Sequence, residues 1–295
     1  MRAGDWTGRL PAPPTPPELP EAALPRWPAW SAPVALISTI VGVILAVFPI
    51  LPVVLLAGTD TGDGGVAATA LLVAVVVQDA VLVGAALLYA TIATRPRSWH
   101  FGLRPTRWKR TAAWAALGAI CILGFEIGYL ELLGLDEGNV NDFGVEVSAV
   151  ATIMVSLAVI VVAPVTEEFF FRGFFYRALR TRLRVWSAAL IDVIVFGALH
   201  FESFDAALTL PVIAVFGVGV CLVYERTGSL FSVIAIHAAF NTFALASIGI
   251  RPGIPITIGL LVIAACVIVP GRLGIGPSPF AGAACRRPRL AAAAG

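Results

Sequence analysis

Two adjacent carboxylates and a guanidinium stand in one apolar run, Glu167-Glu168-Phe-Phe-Phe-Arg172. Ionisable groups at bilayer depth cost about 2.5–3.5 kcal/mol each on insertion scales, so they mark a site by default. Two of the three histidines fall in later apolar segments, as Phe196-Gly-Ala-Leu-His200 and His237-Ala-Ala-Phe-Asn241. Buried carboxylates beside imidazoles are the groups needed to draw a proton from water, and the chemistry they point to is hydrolysis.

These residues need helices to aim them. Glu168 and Arg172 are four apart and meet on one helical face, whereas Glu167 is turned about 100° from Glu168 and stays available. Pro164 has no N–H to give the Ile160 carbonyl, which predicts a kink or opening just before the pair. A turn between Leu183 and Arg184 would place Glu167 and His200 level on antiparallel helices, each about 25 Å along its helix from the turn. His237 and Asn241, again four apart, project from one face.

Composition supplies the environment. With 59% hydrophobic and 13% charged residues and a mean hydropathy of +0.92, the chain is an integral membrane protein. About 20 residues cross a bilayer core, and the expected fold is all-α, with eight spans near 33–57, 66–93, 112–134, 149–176, 187–201, 206–224, 229–249 and 254–270. Eighteen of the 20 Lys and Arg residues precede the first span or follow the second, fourth, sixth and eighth. The other loops are acidic, with Asp60, Asp63, Asp136, Glu137, Asp142, Glu146, Glu202 and Asp205 against Arg251 alone. By the positive-inside rule both termini are expected in the cytoplasm. The arginine clusters read as orientation signals, so no nucleic-acid partner is expected.

The domain organisation follows. Residues 1–32 form a proline-rich tail, expected to be extended. Residues 33–270 form the transmembrane domain, with its motif core at 149–245, and 271–295 form a second flexible cytoplasmic tail. The first apolar segment is too long for a cleaved leader. The four cysteines make no CxxC pair, which argues against a disulfide framework or a cysteine zinc cluster. Lys109 is the only lysine among abundant Ala, Gly and Arg, a bias that points to a GC-rich bacterial genome.

In this order and on these helices, EExxxR, FxxxH and HxxxN, carried by Glu167 to Arg172, Phe196 to His200 and His237 to Asn241, resemble the CAAX-protease and bacteriocin-processing (CPBP, or Abi) intramembrane proteases, which include the type II CAAX prenyl endopeptidases. The resemblance is strong over about 149–245. It implies eight helices around a polar cavity and an intramembrane endopeptidase acting on a membrane-associated peptide or protein, with membrane lipid as its other partner. It further implies that Glu167 and His200 activate the water, that His237 and Asn241 polarise the scissile carbonyl, and that Glu168, Arg172 and Phe196 support the site.

Other readings stay open at this level. Glu167, His200 and His237 could ligate Zn²⁺ with a water in the fourth position, although no short-spaced pair such as HExxH fixes two ligands on one helix turn, and a cofactor-free site is favoured. The same fold could serve a silent binding or immunity protein, and buried charges also occur in ion-coupled transporters, which normally announce broken helices in repeat-related positions. Gln78, Asp79, Glu126, Glu131 and Asp192 read as helix-helix contacts or cavity lining. Asp192 stands apart from these, lying eight residues before His200 on roughly the same helical side.

Overall fold

A computed structural model describes residues 27–49, 52, 65–93, 95–104, 108–134, 149–200, 208–247, 249 and 251–273. Within them the chain is helical, without strands: α1 Ser31–Val47, α2 Gly65–Ala93, α3 Trp108–Leu133, α4 Ala149–Arg180, α5 Val185–Leu199, α6 Leu210–Thr227, α7 Leu230–Ser247 and α8 Gly253–Leu273. Each expected span is matched by one helix. Among the described residues six are long and apolar enough to cross a bilayer, and α1 and α5 are shorter apolar helices. The acidic loop residues named above, the far ends of both tails and Cys285 lie outside the described residues.

The apolar surface is distributed as a membrane requires. Ile37, Ile44, Leu45, Leu132, Val150, Ile194 and Leu261 are exposed large hydrophobics. The buried core gathers instead around the C-terminal half of α4, where every residue from Phe170 to Arg180 is buried. Helices α1, α2, α5 and α7 all pack on this half. The aromatic run of α4 is therefore packing surface: Phe170, Phe171, Phe174 and Phe175 are at most 2% exposed.

The ordered bundle begins earlier than expected. Trp27 is fully buried, its ring 4.9 Å from that of Phe101 and 5.2 Å from that of Phe174. Burying an indole outweighs the proline-rich character of the segment around it, so the packed part of the protein reaches back into the expected tail.

Helix α4 is not uniformly α-helical. Leu157–Val162 and Phe169–Tyr176 are π-helical, and Ala163–Glu168 between them is α-helical. In the first π segment the Ala163 N–H reaches back to the Ala158 carbonyl. The Val159 carbonyl thus loses its α-helical donor, and its π-helical donor would be the nitrogen of Pro164, which carries no hydrogen. The carbonyl opened by the proline is accordingly that of Val159, one residue before the expected Ile160, because the register is π and not α.

One end of the bundle is clipped by two left-handed glycines. Gly102 has φ +90° and Gly228 φ +57°. A Cβ on Gly102 would stand 2.7 Å from the Tyr224 hydroxyl. Across this close approach the Leu230 N–H donates to the Gly102 carbonyl, Arg104 donates to the Gly228 carbonyl, and the Tyr224 hydroxyl donates to the Phe101 carbonyl. Arg177 donates to Tyr224, while Arg180 forms an ion pair with Glu225. The segment after α2, the end of α4 and the α6–α7 turn therefore lie at the same end of the molecule.

Candidate active site

The site is built on the α-helical step of α4 between its two π segments, a kind of interruption frequent at functional sites. Glu168 and Arg172 are both fully buried, with Arg172 Nη1 3.0 Å from Glu168 Oε1. Arg172 Nε lies 3.5 Å from Asp192 Oδ2 on α5, and Nη2 donates to the Gly217 carbonyl on α6 at 3.4 Å. The guanidinium also sits 4.9 Å from the Phe196 ring centre and 5.9 Å from those of Phe171 and Phe216. One cation thus joins α4, α5 and α6, compensated by two carboxylates and three aromatic faces.

Glu168 does a second job. Its Oε1 also accepts from His237 Nδ1 on α7 at 2.8 Å. With Nδ1–H spent in this way the neutral ring presents the lone pair of Nε2, a tautomer assigned from the hydrogen bonding. That nitrogen faces Glu167 Oε2 at 3.9 Å, beyond direct hydrogen bonding. Glu167 Oε2 is buried and has no hydrogen-bond partner.

His200 caps the C-terminus of α5. Its Nδ1 is 2.8 Å from the Phe196 carbonyl, and its ring lies 4.3 Å from that of Phe196. The same Phe196 ring is 6.3 Å from His237, which meets Phe216 edge-on at 4.8 Å. Phe196 therefore touches both histidines and the guanidinium. Asn241, one turn beyond His237, donates from Nδ2 to the Val159 carbonyl at 2.7 Å. The carboxamide fills the place of the hydrogen that Pro164 lacks.

The structure brings Glu167, Glu168, Arg172, Phe196, His200, His237 and Asn241 into one neighbourhood, with a division of contacts unlike the expected one. The imidazole that Glu167 faces is His237, and one N–H of Asn241 is committed to the backbone. Asp192 emerges as the second counter-ion of Arg172, and it also accepts from Cys221 Sγ at 3.4 Å. Glu126 is buried, whereas Gln78 and Glu131 are exposed. Among the described residues no three His, Cys, Asp or Glu side chains converge as a metal-ligand set. The third histidine, His100, lies outside the spans and accepts the Arg97 N–H at Nδ1. Partial burial, Arg177 and Arg97 hold its pKa below the ordinary value.

A family model described as "Type II CAAX prenyl endopeptidase Rce1-like" matches residues 149–243, from the start of α4 into α7. This segment is Rce1-like. All seven residues just named fall inside it, and Asp192 and Cys221 do as well. No curated protein and no solved structure matches the chain. The family matched by this segment is one of CAAX-type endopeptidases, and the apolar helices in and around the segment make the protein a multi-pass helical membrane protein.

Proposed function

We propose that the protein is an intramembrane endopeptidase that hydrolyses a peptide bond in a membrane-associated peptide, with Glu167 as the general base. The observation that carries this reading is the 3.9 Å gap between Glu167 Oε2 and His237 Nε2. One water can hydrogen-bond to both atoms across it. On attack, the water oxygen bonds to the carbonyl carbon and its proton passes to Glu167. When the carbon–nitrogen bond breaks, that proton passes on to the leaving amine.

The other residues have positioning and electrostatic roles. His237, anchored through Nδ1 on Glu168, orients the water, and His200, anchored on the Phe196 carbonyl, offers Nε2 as a second acceptor. Asn241 Nδ2 carries two hydrogens. The one not donated to Val159 is available to the oxyanion that develops on the scissile carbonyl. Arg172, compensated on both sides, keeps the turn carrying Glu167 and Glu168 fixed. The mechanism needs no metal, a reading supported by the absence, among the described residues, of three converging His, Cys, Asp or Glu side chains.

The positive-inside asymmetry supports an orientation in the cell membrane with the clipped end of the bundle, and both termini, in a bacterial cytoplasm. Comparative terminal proteomics of membranes containing either the wild type or Glu167→Gln tests the function. New peptide termini should appear only with the wild type. Identical sets of termini from both would refute the peptidase reading.

A further inference from the structure

Asp79 lies on α2, outside the Rce1-like segment, and no motif includes it. Its side chain is 2% exposed, and both carboxylate oxygens are buried without a hydrogen-bond partner. Helix α2 packs on α4 at the turn that carries Glu167, and Asp79 lies within electrostatic reach of the Glu167 carboxylate. The polar group beside it is the Thr166 hydroxyl. That hydroxyl has a single hydrogen, directed at the carbonyls of Val162 (2.9 Å) and Ala163 (3.1 Å). That hydrogen is therefore spent on the backbone and not on Asp79. Of its other packing partners, α1 carries hydroxyls but no ionisable side chain, the 157–162 stretch of α4 carries none, and Arg172 in the 169–176 stretch is engaged by Glu168 and Asp192; none of them hydrogen-bonds to Asp79.

An ionised carboxylate buried without a donor, and near a second carboxylate, is strongly disfavoured. A carboxylic acid in the same place has a hydrogen to give and an acceptor for it in the lone pairs of Thr166 Oγ1. We propose that Asp79 is the fourth carboxyl group of the site, after Glu167, Glu168 and Asp192, holding a proton that it donates to Thr166 and so leaving Glu167 as the ionised member of the Asp79–Glu167 pair. Asp79 is then a positioning residue. Its hydrogen bond and that of Thr166 form a chain from α2 to the carbonyls of Val162 and Ala163, bracing the turn from which Glu167 projects. Its neutrality lets Glu167 carry the negative charge that a base requires. The catalytic part of this inference rests on the proposed function, whereas the protonation of Asp79 does not.

Infrared difference spectroscopy of the full-length protein in nanodiscs, in H₂O against D₂O at neutral pH, reads the proton without turnover. The carbonyl band of a buried carboxylic acid should be present in the wild type and in Glu167→Gln and lost in Asp79→Asn. Thr166→Val should move the band while leaving its area intact, which keeps the test decisive should Asp79→Asn fold poorly. A wild type without the band, a band that survives Asp79→Asn, or one unmoved in Thr166→Val would overturn the proposal. In peptidase assays Asp79→Leu should lower kcat about tenfold or more with little change in KM, as for a misplaced base, and Asp79→Asn should recover part of that loss. Equal kcat in wild type and Asp79→Leu would refute the bracing role. An active Glu167→Gln enzyme with the band intact would instead refute the proposed function alone.

Discussion

Asn241 donates its carboxamide hydrogen to the Val159 carbonyl at 2.7 Å, the acceptor left without a backbone donor where a π-helical stretch runs into Pro164. The two residues are 82 apart in sequence, and their bond fastens α7 to α4 next to the candidate base.

This bond predicts a coupling. Asn241→Leu leaves the Val159 carbonyl unsatisfied and should destabilise the protein by about 1–3 kcal/mol. Pro164→Ala restores a backbone hydrogen at the position that the π register directs to Val159. In that background the cost of Asn241→Leu should fall by about 1 kcal/mol, a difference that a double-mutant cycle of unfolding in detergent measures. Simple additivity of the two substitutions would contradict the account of the proline.

Glu167→Gln keeps shape and removes the proton acceptor, so kcat should fall by about 10²–10⁴. Thermal unfolding should change little, because the carboxylate accepts no hydrogen bond at its buried oxygen. A well-folded Gln variant with wild-type turnover would remove Glu167 from the mechanism.

Glu168→Gln should act through stability. Glu168 serves both Arg172 and His237, and breaking a buried pair on one side costs about 3–5 kcal/mol. Asp192→Asn should cost less, since Arg172 then retains its closer carboxylate. Melting temperatures of the two variants in one detergent provide the comparison, and the reverse ranking would show that Asp192 is the principal counter-ion.

Metal removal separates the two hydrolytic chemistries. The purified enzyme should keep its activity after exhaustive chelation and contain no stoichiometric zinc by elemental analysis. Activity lost on chelation and restored by zinc would make Glu167, His200 and His237 a ligand set in place of a base and its partners.

Orientation is tested by labelling. In a cysteine-free background, Arg182→Cys lies in the exposed turn after α4 and should resist an impermeant thiol reagent added to intact cells. Labelling from outside would invert the proposed topology.

The helices were legible in the sequence because a bilayer demands long apolar runs, and those runs are unmistakable in α2 to α4 and α6 to α8, with α1 and α5 shorter. Glu168 and Arg172 were legible too, because their pairing follows from helical spacing alone. The π register of α4 was not. Its effect on Val159 depends on hydrogen bonds that shift by one residue, and no side-chain pattern announces the shift. Asp79 was visible as an acid in an apolar span, but with no partner at helical spacing it looked like one more contact between helices. Its proximity to Thr166 and Glu167 arises only when α2 packs against α4. Trp27 was hidden for the same reason, since its partners Phe101 and Phe174 are far away in sequence.

The clip between Gly102 and Gly228 bears on how portable the recognised stretch is. Residues 149–243 borrow from outside themselves the Phe101 carbonyl that receives Tyr224, the Arg104 guanidinium on Gly228, the Phe101 ring stacked on Phe169 and the Trp27 ring against Phe174. Excised or grafted alone, the stretch would lose these partners around the very helix that carries its acids. The stretch that bears the family likeness is thus not a self-contained module, and chimeras that exchange it between relatives should transfer the N-terminal helices with it.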